Sequence, residues 1–334
     1  MSKLIIALGT ILNIGVLSYC EAASQEIVVY TSRKEHLVKP IFEQFTKETG
    51  ININYRTGKD GILIQTIKTE KESTPADVLI TVDAGNLWYA KSQGILASIK
   101  SKELNKNIPK HLRDSDNNWF AFSIRARTIV YHKDKVKPEE IISYENLAKE
   151  KWRGRLCLRT SKKVYNQSLV SMLIHELGEE QAKNVVAGWT KNAVTITKND
   201  TKLLNAIEAG QCDVGIANTY YLGRIQKKNP DYPVKIYWPN QKSYGVHINV
   251  SGAGIVKYSK KKDLAKRFLE WLSNKSAQQT FAQVNLEFPV RKDVDLDPLT
   301  KKWGAFNANK SFDLNLAGKY QAQAIKLMNE VGYK

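Results

Sequence analysis

Apolar and polar positions follow two periods along this chain, and the two alternate. Ile27, Val28, Val29 and Tyr30 make a short apolar run that predicts a first strand. Over residues 40–49, Ile41, Phe42 and Phe45 share one helical face, and Gly50 supplies the stop. Ile51, Ile53 and Tyr55 then alternate with polar residues, as a strand requires. Residues 62–71 read as a second helix and 77–82 as a buried strand after Pro75. The middle repeats the pattern. Residues 155–158, 194–197 and 234–238 predict strands, and 166–177, 179–190 and 203–209 predict helices. Leu169, Met172, Leu173 and Leu177 form the apolar side of the first of these helices. Gly210 ends the last of them before a strand expected to carry Cys212. Residues 263–273 are amphipathic through Leu264, Phe268 and Leu272, with Asp263 suited to a helix start. Strands alternating with helices predict an α/β protein built on parallel sheets.

Two stretches fit neither period. Residues 123–131 and 247–256 are extended, the first β-branched at Ile129 and Val130, the second containing Gly252 and Gly254. They read as two crossings between lobes, so that the chain leaves one lobe and later returns. A length of 334 residues suits two lobes rather than one core.

The chain begins as an export signal does. Lys3 is followed by an apolar stretch from Leu4 to Val16 and then by small residues, with cleavage expected after Ala22. Cys20 is an alternative lipid-attachment site, disfavoured by the bulky Tyr19 before it. No later segment approaches the roughly 20 apolar residues a spanning helix needs. A soluble, exported mature chain is expected. In an oxidising compartment, its two cysteines, Cys157 and Cys212, favour a disulfide, with two buried thiols as the alternative.

The charge changes the picture only slightly. Fifty-one basic against thirty-three acidic residues give a net charge of +18. The lysines are scattered and no nucleic-acid motif is present, so nucleic acid is not an expected partner. A positive surface still attracts anionic ligands. No His-Glu-x-x-His zinc motif, Gly-x-Ser-x-Gly elbow or phosphate-binding glycine loop occurs. An exported enzyme using Cys157 with His247 or His175, or Tyr220 as a general acid, is therefore the least favoured reading.

The adjacent phenols Tyr220 and Tyr221 are the most informative pair. They follow the strand-like run Val214 to Ala217, so both can turn toward one point in a cleft. A phenol, with a pKa of about 10, is a poor anion at neutral pH. A hard, strongly charged cation reverses that by stabilising the phenolate. Packing at a loop is the plainer alternative for two such rings.

Several motifs share one order and spacing. They are Pro75-Ala76-Asp77-Val78-Leu79 with Thr81-Val82-Asp83-Ala84-Gly85, and Arg125-Ala126-Arg127-Thr128-Ile129-Val130-Tyr131. They continue in Cys157-Leu158-Arg159-Thr160-Ser161 with Tyr165-Asn166-Gln167-Ser168-Leu169, then Asn218-Thr219-Tyr220-Tyr221-Leu222-Gly223 and Ser251-Gly252-Ala253-Gly254. Together they resemble the periplasmic ferric-iron-binding proteins of ABC iron importers, over nearly all of the mature chain. The resemblance implies a type II periplasmic binding protein, two-lobed like a Venus flytrap, with discontinuous lobes and two hinge crossings. Residues 23–124 with 250–299 would form the N-lobe. Residues 125–249 with 300–334 would form the C-lobe.

The same resemblance implies Fe3+ as the ligand, with Tyr165, Tyr220 and Tyr221 as its phenolate donors. It implies that Arg33 and Arg125 hold a carbonate or other synergistic anion. Arg33 lies at a strand end, where a guanidinium can grip an oxyanion. Members of the family carry a metal-binding His-Tyr pair directly after that arginine. Here Lys34 and Glu35 stand in its place and His36 follows, so Glu35 and His36 are the candidates for a further ligand. The expected protein is a monomer in the periplasm that docks on an ABC permease with its ATPase. An oxyanion or small organic solute held by Arg33, Arg125 and Arg159 is the alternative within the same fold.

Overall fold

A computed structural model of the protein describes residues 25–334. The export signal expected over residues 1–22, with Cys20, lies outside them. Strands β1 (Glu26–Thr31), β2 (Asn52–Thr57) and β3 (Val78–Thr81) are separated by helices α1 (Glu35–Thr49) and α2 (Asp60–Glu70). Then come α3 (Ala84–Ser92), α4 (Lys102–Asn107) and the long strand β4 (Phe120–His132). The middle runs β5 (Leu156–Arg159), α5 (Val164–Leu177), α6 (Glu179–Asn192), β6 (Ala193–Thr197), α7 (Asp200–Glu208), β7 (Val214–Asn218), α8 (Thr219–Lys228) and β8 (Val234–Tyr237). Strand β9 (Ile248–Ile255) precedes α9 (Lys262–Leu272), α10 (Lys275–Asn285), α11 (Pro298–Lys302), α12 (Leu316–Lys319) and α13 (Gln321–Glu330). No helix among the described residues is long and apolar enough to cross a membrane.

The strands follow the order β2-β1-β3-β9-β4-β7-β5-β6, with β8 beside β4. β1 pairs parallel with β2 and β3, and β5 pairs parallel with β6 and β7. The expectation of wholly parallel sheets is corrected at the crossings. β4 and β9 pair antiparallel with each other, β9 with β3, and β4 with β7 and β8. The chain leaves the first half on β4 and returns on β9, so the two must run in opposite directions.

Two main cores lie on either side of these crossings. The first gathers residues between Ile27 and Phe122 with residues between Ile248 and Val290, plus Leu314. Its aromatic centre stacks Phe45 edge-on against Phe268 and Trp271, with centroids 4.8 and 5.2 Å away. Fully burying a side chain such as Phe45 contributes about 1.5–3 kcal/mol. The second runs from Ile129 to Tyr333 and packs α5 and α6 against β5 and β7. β4 passes from Phe122 in one core to Ile129 in the other. The residues between include Ser123, Arg125, Arg127 and Thr128, all polar and all buried. The crossing thus carries the polar groups that an interlobe site can use.

Three local differences from the sequence reading have simple causes. α1 starts at Glu35, not at Pro40, which sits inside it. Proline has no N–H for the His36 carbonyl, but His36 is exposed and water can take its place. Cys212 lies in the turn before β7, not in a strand, after Gly210 ends α7 at φ +71°. Tyr220 and Tyr221 lie in the first turn of α8, not in a loop.

Candidate metal centre

Two helices begin at the same place in the cleft. Tyr165 is the second residue of α5, and Tyr220 and Tyr221 are the second and third of α8. β5 and β7 are parallel neighbours, so the helices that follow them start side by side. The Tyr220 hydroxyl donates to the Tyr165 hydroxyl at 3.4 Å. The rings of Tyr220 and Tyr221 lie 4.4 Å apart between centroids. All three line one cleft of about 1020 Å³. Among the described residues no group of three or more His, Cys, Asp or Glu side chains is placed to hold a metal. The phenols form an oxygen-bearing group on this wall of the cleft.

Arginines surround them. Arg159 lies 5.1 Å from the Tyr165 ring and 5.9 Å from that of Tyr221. Arg125 lies 5.6 Å from the Tyr165 ring, and Arg224 4.9 Å from that of Tyr220. The buried Nε atoms of Arg125 and Arg159 and the Nη2 of Arg224 have no hydrogen-bond partner. Burial, then the neighbouring Tyr165 and Tyr221, push the Tyr220 hydroxyl well above the ordinary phenol value, with Arg125 pulling the other way. Without a metal, the Tyr220 proton therefore stays on at neutral pH.

The remaining predicted residues are placed as follows. Arg125 lines the cleft and donates from Nη2 to the carbonyls of Val82 and of Val250, the latter at 2.7 Å. Arg33 also lines the cleft, but both arms of its fork are engaged by Glu287, each at 3.1 Å, and Nη1 also meets Ser251. Glu35 and His36 are exposed in the first turn of α1 and do not line the cleft. Glu35 accepts a hydrogen bond from Tyr55 at 2.9 Å. Burial and the charges of Arg224, Lys34 and Arg33 hold the His36 imidazole below its ordinary pKa. Cys157 and Cys212 form a disulfide with Cα atoms 5.9 Å apart, joining β5 to the turn before β7. His247, weighed as a catalytic base, is instead fully buried against Ser168 at 2.9 Å. Burial and then Arg127 and Arg125 hold its pKa at about 3.

Sequence reasoning missed Glu287 and Arg224. Glu287 is remote in the chain from the Arg33 it binds. Arg224 lies four residues after Tyr220, on the same helical face, which a prediction of α8 would have exposed.

Two parallel-stranded halves joined by two antiparallel crossings, with a cleft of oxygen donors between them, define a two-lobed solute-binding protein of type II. The chain belongs to the bacterial extracellular solute-binding protein family, whose profile matches residues 30–279. It is 41% identical over 317 residues to the iron uptake protein A1 of Synechocystis sp., covering 93% of this chain and 88% of that one. It is 28% identical to the Fe(3+)-binding periplasmic protein of Serratia marcescens, over 93% of this chain and 91% of that one. Among solved structures, a Trichodesmium protein in complex with iron and citrate ligands superposes with a TM-score of 0.87 at 41% identity, covering 92% of this chain and 100% of that one. A ferric binding protein from Campylobacter jejuni also reaches 0.87, at 34% identity and the same coverage.

Proposed function

We propose that this protein captures Fe3+ outside the cytoplasm and delivers it to the permease of an ABC importer, whose ATPase drives uptake. The grouping that supports this reading is the Tyr165 and Tyr220 hydroxyls in contact, with the Tyr221 ring beside Tyr220 in the same cleft. Three phenolates balance the charge of a ferric ion. The N-lobe, residues 23–124 with 250–299, closes on the C-lobe, residues 125–249 with 300–334. Such hinge closure is the ordinary motion of these proteins. Cleavage after Ala22 would release a monomer into the periplasm.

The unpartnered Nε of Arg125 and of Arg159 favours an anion beside the metal, carbonate or a carboxylate of an organic chelator. Arg33 also keeps an unpartnered Nε, but a grip on the anion through both terminal nitrogens would require it to release Glu287. Glu35 and His36, exposed and outside the cleft lining, leave the phenols and the anion as the coordinating set.

Purified metal-free protein titrated with a weak ferric chelate should develop a visible phenolate-to-iron charge-transfer band. Tyr220→Phe and Tyr221→Phe should each lose most of the affinity. A colourless protein, or variants that bind as tightly as the parent, would contradict the reading.

A further inference from the structure

Behind the three phenols, and in contact with Arg159, lies a buried ion pair, Arg127 with Asp200, that the iron chemistry described so far does not use. Arg127, on the crossing strand β4, is 1% exposed, and Asp200, the first residue of α7, is fully buried. Asp200 Oδ2 lies 3.3 Å from Arg127 Nη1 and 3.2 Å from Arg159 Nη1. It also accepts the backbone N–H of Asn218 at 3.2 Å. Arg127 spreads its donors over the first turn of α5 and the end of β7, which leads into α8. Its Nε donates to Asn166 Oδ1 at 2.8 Å, its Nη1 to Asn218 Oδ1 at 3.3 Å, and its Nη2 to the Ile216 carbonyl at 3.1 Å.

These partners sit where spacing is decided. Asn166 is next to Tyr165, and Asn218 precedes α8 and donates to the Tyr220 hydroxyl at 3.5 Å. One planar guanidinium thus ties together the starts of α5 and α8. A fork of fixed geometry can do this, whereas a lysine ammonium cannot. Two guanidiniums share one carboxylate, so the cluster keeps a surplus positive charge on Arg159, the arginine facing Tyr165 and Tyr221. Ionic clusters of this kind are poor stabilisers. Well-packed apolar residues of similar volume often replace them without loss of stability. The geometry of the pair, rather than any gain in stability, is what links it to the metal centre.

We propose that Arg127 and Asp200 are positioning residues for the metal centre: the fork of Arg127 fixes the separation of Tyr165 from Tyr220, and Asp200 fixes Arg159 against the phenols. This rests on the ferric reading of the site. The test compares the parent with Arg127→Met/Asp200→Leu, an apolar replacement of the pair. The double variant also strips Arg159 of its carboxylate and should melt below the parent; its folded form should bind Fe3+ at least tenfold more weakly and show a displaced charge-transfer maximum. The same dissociation constant and band as the parent would overturn the proposal. Should the double variant not fold, Asn218→Ala removes one arm of the brace and leaves the ion pair. It should bind at least threefold more weakly with a displaced band, and unchanged behaviour overturns the proposal. A metal-free crystal structure of the folded variant supplies a readout independent of iron. A Tyr165–Tyr220 hydroxyl separation clearly beyond the native 3.4 Å supports the brace, and an unchanged separation refutes it. A parent that binds no iron would sink the ferric reading, while the hydroxyl separation would still decide the brace.

Discussion

Acid should weaken iron binding with a steepness set by the number of phenols. A phenol holds its proton at neutral pH, and Tyr220 is pushed further that way by burial and by its two phenolic neighbours. Each phenolate formed on binding releases one proton, so each contributes a tenfold loss of affinity per pH unit. Three ligands give about 1000-fold per unit, or about 4 kcal/mol at 1.36 kcal/mol for each proton. The assay is competition against a chelator of known proton affinity, following the visible band between pH 6 and 8 and correcting for the chelator's own protons. Tyr221→Phe should lower the slope by one proton as well as weaken binding. A parent slope near zero or one would refute the three-phenolate site, because the metal would then be held by groups already ionised.

Asp83 is fully buried, and burial, then the nearby Asp60, raise its carboxyl to about 6. Its folded-state pKa lies above the ordinary value, so the stability linked to its proton is present below about pH 4 and lost as pH rises through 6, a loss of about 3 kcal/mol. Asp83→Asn should therefore gain on the parent in urea at pH 7.5 but not at pH 4. An equal difference at both pH values would exclude this linkage. The Cys157–Cys212 bridge closes a loop with a sequence separation of 55, and losing it should cost about 4 kcal/mol by loop entropy. A paired Cys157→Ser/Cys212→Ser variant that melts like the parent would show that the loop is already constrained. Glu287→Gln should free the Arg33 fork from its ion pair and strengthen the dependence of iron binding on added carbonate. An unchanged dependence would remove Arg33 from anion binding.

The elements with an unbroken period were legible in the sequence. Strand β1 and helix α5 follow directly from their apolar spacing, and the two aperiodic stretches became the crossings β4 and β9. α8 was not legible, because two adjacent tyrosines and Gly223 interrupt any apolar stripe. The direction of the crossings was not legible either, since strand period carries no sign. The phenols could be singled out by their chemistry, but not the commitment of Arg33. That depends on Glu287, which only the fold brings near. Asp200 lies ahead of the helix read over 203–209 and drew no notice there, and only its burial between Arg127 and Arg159 marks it out.

A ring of arginines repels a cation, and the resolution lies in which species the arginines stabilise. The three phenols sit in the first turns of α5 and α8, and neither helix has a side-chain cap to offset the positive end of its dipole. Each such helix end favours an adjacent anion by about 0.3–1 kcal/mol. Together with Arg125, Arg159 and Arg224 it lowers the cost of forming phenolate. That cost remains large. Ionising a phenol of ordinary pKa at pH 7.5 takes about 3 kcal/mol, so three take about 10 kcal/mol, and burial of Tyr220 adds to it. Only a hard ion of high charge recovers that much from oxygen donors, whereas zinc finds equal or better partners in imidazole and thiolate. Ga3+, equally charged and redox-inert, should therefore displace Fe3+ from the chain in proportion to its concentration. Zn2+ in hundredfold excess should leave the visible band intact. If Zn2+ bleaches the band as readily as Ga3+, phenolate formation is not what the site selects for.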